Sequence, residues 1–99
     1  MFNISIKTGM GEDVYRVVFS MREEKFHRKP HRVVVCRILY KETKQLRFYG
    51  ESVCSLKDNF DKNKGRKIAL TRALKNSPFD YTQRGRFWKA YFDTRHGKH

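Results

Sequence analysis

Six basic residues fall within the fourteen positions 62–75, KNKGRKIALTRALK: Lys62, Lys64, Arg66, Lys67, Arg72 and Lys75. No acid occurs between Asp61 and Asp80. Clustered ammonium and guanidinium groups bind phosphates and carboxylates. Residues 62–99 as a whole hold eleven Lys/Arg against Asp80 and Asp93. A single basic run is usually a solvated face, but here too few acids interleave to neutralise it. The expected set of nucleic-acid or anion-binding residues is Lys64, Arg66, Lys67, Arg72, Lys75, Arg84, Arg86 and Lys89. A separate basic group, Lys25, Arg28, Lys29 and Arg32, lies upstream.

Other chemistries find less support. Placing Tyr40 opposite Leu46 across the 41–45 loop sets Ile38 against Phe48, Cys36 against Gly50 and Cys54 near Arg32. The two thiols then sit roughly 13 Å apart at strand rise, beyond the ~7 Å that a disulfide tolerates, so both read as small buried hydrophobes. His27 and His31 flank Pro30 and, with Cys36 and Cys54, lack the close ligand pairs of a structural zinc site. Asp58 and Asp61 are three apart before a basic helix; a nuclease metal site would use such a pair, but helix capping accounts for them more simply. Gly9 and Gly11 lack the Gly-Lys-Ser/Thr continuation of a phosphate loop. No Ser-His-Asp or Cys-His arrangement suggests itself. The expectation is a protein that is not an enzyme, with no metal and no cofactor.

The whole chain agrees with a binding role. Its 99 residues suit one domain (1–95, with 96–99 as a frayed tail), burying only about 60–65% of its unfolded surface. The formal charge is +13, well above the about 2–8 units that solubility needs. Excess of that size weakens the compact state by self-repulsion, so binding is the natural reason for it. Eight Phe, five Tyr and one Trp argue against a solvated basic tail. No apolar run approaches the ~20 residues of a membrane span. The N-terminal Met-Phe-Asn-Ile-Ser-Ile lacks the charge and apolar pattern of a signal peptide, so a cytoplasmic location is expected.

The cations need a scaffold, and periodicity supplies one. Phe2, Ile4 and Ile6 alternate with polar residues as in a half-buried strand. Thr8-Gly9-Met10-Gly11 is a turn. Tyr15, Val17, Phe19 and Met21 mark a second strand, 22–32 a charged connection containing Pro30, Val33–Tyr40 a third strand, and Leu46–Cys54 a fourth, interrupted by Gly50. After Ser55 the period becomes helical. Ala69, Leu70, Ala73 and Leu74 form one face of a first helix, which is firm from about Arg66 to Asn76 because Gly65 is a poor interior residue. Asp80 and Gln83 resemble a capping box for a second helix, 81–94, whose Phe87, Trp88, Tyr91 and Phe92 form an aromatic face. The predicted architecture is α+β: an antiparallel sheet of three to four strands followed by two helices packed on one face. Tyr49 points away from that core face, where it either covers its neighbours or stacks on a base.

The segments Gly50-Glu51-Ser52-Val53-Cys54, Lys57-Asp58-Asn59-Phe60, Gly65-Arg66-Lys67-Ile68-Ala69-Leu70-Thr71-Arg72-Ala73-Leu74 and Phe87-Trp88-Lys89-Ala90-Tyr91 together resemble a pattern in small uncharacterised bacteriophage and prophage proteins. The resemblance covers about residues 50–92. It implies action in the cytoplasm of a bacterial host and brings no activity or catalytic residues. The leading functional expectation is a non-enzymatic phage accessory protein that binds DNA or RNA through a basic helix surface. The alternatives are an inhibitor that binds a host or anti-phage defence protein, and a protein that sequesters an anionic nucleotide signal.

Overall fold

The computed structural model describes residues 1–9, 11–55 and 62–96; Asp58 and Asp61 lie outside them. Period-two alternation produces four strands: β1 (Phe2–Thr8), β2 (Gly11–Phe26), β3 (Lys29–Tyr40) and β4 (Leu46–Ser55). They pair antiparallel in chain order, β1-β2-β3-β4. Two helices follow, α1 (Lys62–Lys75) and α2 (Tyr81–His96), and both pack on one face of the sheet, giving the expected α+β architecture. Among the described residues no helix is long and apolar enough to cross a membrane.

The 22–32 segment is not a connection. β2 runs on to Phe26 and β3 begins at Lys29. Only His27 and Arg28 join them, with φ of 51° and 66°. Two consecutive positive φ values give a tight turn whose twist matches the strands it joins. The apolar alternation fades here for a physical reason. β1 last pairs at Phe2↔Val17 and β4 at His31↔Ser55, so beyond them β2 and β3 pair only with each other among the described residues. Pro30 lies one residue past the last β4 pair, so its missing N–H breaks no ladder bond on that side.

The β3–β4 register sets Cys36 opposite Gly50, Ile38 opposite Phe48 and Arg32 opposite Cys54, as expected, and both cysteines are free thiols. Burial pushes the Cys36 thiol up to about 12, so it does not ionise near neutrality. One pairing differs: Leu46 meets Leu39 rather than Tyr40, through an irregularity beside Ile38 that leaves Arg47 unmatched. The Arg47 guanidinium instead lies 4.9 Å from the Tyr40 ring centroid.

α1 sits directly on β3 and β4 because the contacting residues are small. A Cβ at Gly50 would overlap the Ala69 carbonyl oxygen and the Ala73 nitrogen of α1. A Cβ at Gly65 would lie 2.8 Å from Val34 Cγ2. Gly65 therefore belongs inside the helix, which starts at Lys62 rather than near Arg66. Leu70 and Leu74 flank the contact and are fully buried. α2 packs on β1 and inserts Phe87 and Tyr91 into the core. Phe79, from the connection between the helices, packs on Tyr15, Phe48 and Phe87 with centroids 5.3, 5.2 and 4.9 Å away.

The capping box at α2 is present. Gln83 N–H donates to Asp80 Oδ1 at 2.8 Å, and Asp80 N–H donates to Gln83 Oε1 at 3.0 Å. Asp80→Ala is expected to cost about 1 kcal/mol, read as a lower urea midpoint with an unchanged slope.

Candidate nucleic-acid interface

The eight expected cations do not share one platform. Arg72 leans over the β4 edge, where its Nη1 donates to the Glu51 carbonyl at 2.7 Å. Asn76 Nδ2 donates to the Tyr49 carbonyl at 3.3 Å. These two side chains satisfy backbone acceptors of an edge strand and shield it from pairing with another chain. Arg66 is half-buried, its guanidinium 5.9 Å from the Phe19 ring centroid. Arg86 and Lys89 lie on the flank of α2 beside Asn3 and Ser5 of β1, with Asp93 among them. Lys64 is exposed near the start of α1.

The remaining three, Lys67, Lys75 and Arg84, converge on the seam between the helices. On α1, Lys67, Thr71 and Lys75 recur every four residues, which aligns them along one side of the helix. Arg84, Trp88 and Phe92 do the same on α2. Thr71, Leu74, Lys75, Arg84 and Trp88 line one groove. Further along it, Lys67 Nζ is 5.6 Å from the Phe92 ring centroid. Trp88 and Phe92 stack on each other, centroids 6.1 Å apart with 29° between planes. Phe92 is 38% exposed and Trp88 half-buried.

The charges of the seam are available to a ligand. Ion pairs among the described residues join Arg22 to Glu24 and Glu51, and Arg32 to Glu23. Lys67, Lys75 and Arg84 have no carboxylate partner among those residues. The Thr71 hydroxyl is turned inward, donating to the Lys67 carbonyl at 2.8 Å. Lys67 and Lys75 stand about 12 Å apart along the axis at helical rise, with the aromatic pair across the groove. This arrangement holds anions along a line and offers π faces beside them, the combination that binds an unpaired nucleic-acid strand.

The exposed half of the aromatic face is what sequence reasoning missed. Phe87/Tyr91 and Trp88/Phe92 are two stripes about 100° apart on a helix, so only one can point at the sheet. Phe87 and Tyr91 take the core, and Trp88 and Phe92 are left at the seam. Tyr49 is on the other side of the sheet, bound into a polar cluster. Its hydrogen bond, then Arg22 and Arg37, holds the Glu51 carboxylate below its usual range. Burial, then the Glu51 contact, raises the Tyr49 hydroxyl. Tyr49 therefore serves that cluster and lies away from the seam.

No family model matches this chain, and neither the curated proteins nor the solved structures yield a match.

Proposed function

We propose that this chain binds single-stranded nucleic acid, without catalysis, along the seam between α1 and α2. The observation that carries this reading is the alignment of Lys67, Lys75 and Arg84 with the stacked Trp88–Phe92 pair. The cations meet phosphates and the rings meet bases. Arg66, Arg72, Arg86 and Lys89 add to the positive field that draws a strand in. A phage accessory role is supported by the residue pattern over 50–92 alone, and action in a bacterial cytoplasm follows from that pattern.

Trp88 is the sole tryptophan, so its emission reports directly on the site. Adding a single-stranded oligonucleotide is expected to quench it. Phe92→Ala is expected to weaken binding by about 1–3 kcal/mol, the usual worth of one base–aromatic stack, while circular dichroism stays unchanged. Affinity purification from bacterial lysate, with and without nuclease, separates this reading from its rival. Co-purifying material lost on nuclease treatment supports strand binding. A stoichiometric protein retained after it would replace strand binding by direct inhibition of that protein.

A further inference from the structure

α1 lies over β3 and β4, and α2 against β1, so β2 runs beneath the gap between the helices. At one end the gap is filled, where Tyr15 of β2 packs on Phe79 and Phe87. At the other end a cavity of 290 Å³ opens over Phe19 of β2, between Arg66 of α1 and Tyr91 and Thr94 of α2.

The walls of this cavity are chemically mixed. Phe2 and Phe19 are half-buried, and each meets the Tyr91 ring edge-on, centroids 6.3 and 5.8 Å away. The Arg66 guanidinium lies over Phe19 with no carboxylate partner among the described residues. The Thr94 hydroxyl is engaged, donating to the Ala90 carbonyl at 2.9 Å. Tyr91 is only 3% exposed, and its hydroxyl is buried with no hydrogen-bond partner among the described residues.

We propose that this cavity binds one phosphorylated nucleoside, with the base against Phe2 and Phe19 and the phosphate on Arg66. The volume is at the lower limit for ligand pockets, which suits a single ring system and its phosphate. A net charge of +13 favours a doubly charged phosphate over a singly charged carboxylate. The ligand is either a free mononucleotide or the 5′-phosphorylated end of a strand. The site shares no residue with the seam, so it stands or falls separately from strand binding there.

The test uses the full chain, with thermal shift and calorimetry against the four nucleoside 5′-monophosphates. One oligonucleotide is compared in 5′-phosphate and 5′-hydroxyl forms. At least one monophosphate, or the 5′-phosphorylated strand in preference to the 5′-hydroxyl one, is expected to bind and raise the Tm. The first result assigns a free nucleotide, and the second alone assigns a strand end. Arg66→Gln is expected to weaken binding about tenfold or more. The proposal is overturned if neither ligand form binds, if inorganic phosphate binds as well as the nucleotides do, or if Arg66→Gln leaves affinity unchanged.

Discussion

Replacing Gly50 with alanine is expected to destabilise the fold by about 3 kcal/mol or more, at or above the top of the usual overpacking range. The added methyl would overlap the Ala69 carbonyl oxygen and Ala73 nitrogen, with Ala73 Cα at 3.0 Å. These are backbone atoms of α1 and cannot rotate aside. The helix must lift from β4, which opens the contact that buries Ala69, Leu70 and Ala73. For a chain of this size the Tm falls by more than about 12 °C. Two other glycines calibrate the effect. At Gly65 the new methyl meets a side-chain methyl of Val34, and the gain in helix propensity works against that contact, so Gly65→Ala should change stability by less than about 1 kcal/mol. Gly85 is exposed within α2 with nothing within 4 Å of a new Cβ, so Gly85→Ala should add about 0.8–1 kcal/mol. Urea denaturation of the three variants gives the order directly. A Gly50→Ala protein as stable as the parent would mean that α1 does not sit this close to β4.

The same contact shows what periodicity conveys and where it fails. Ala69, Leu70, Ala73 and Leu74 marked the buried face of α1 because their spacing fits a helix and no other element, and they are buried. The assumed closure of the 41–45 loop placed Cys36 opposite Gly50, and that pairing is present although Leu46 meets Leu39 rather than Tyr40. The arm formed by the ends of β2 and β3 escaped notice because alternation records burial, and residues 25–30 pair only with each other among the described residues. Gly65 was misleading for the opposite reason. Intrinsic propensity counts it against a helix, whereas the missing Cβ leaves room for the Val34 side chain.

The cations were legible as a group but not by their individual roles. Charge counts cannot separate Arg72, bound to the Glu51 carbonyl, from Lys75, which faces the seam. That division depends on which strand edge and which neighbouring helix each side of α1 meets. Trp88 and Phe92 were readable in principle, since four aromatics at 87, 88, 91 and 92 span more of the helix than one core contact accepts.

Reversing the seam charges together, with Lys67→Glu, Lys75→Glu and Arg84→Glu, is expected to abolish strand binding at physiological salt while leaving the fold intact. All three side chains are exposed and have no carboxylate partner among the described residues, so the native structure depends on none of them. Each phosphate neutralised on a single strand contributes about −0.7 to the slope of log K against log salt, so the set accounts for about 2 units. Reversing Arg86 and Lys89 removes two-thirds as much positive charge on the far flank of α2. That pair should weaken binding by less, through the long-range field alone, and should leave the quench of Trp88 in place.

The salt dependence of Trp88 quenching by a single-stranded oligonucleotide, followed from about 50 to 200 mM salt, bears most directly on the seam as a nucleic-acid site. The parent protein should quench with a log–log slope near −2 or steeper, and the triple variant should show neither quench nor slope. An emission unchanged at the lowest salt, or the same slope in the triple variant, would contradict it.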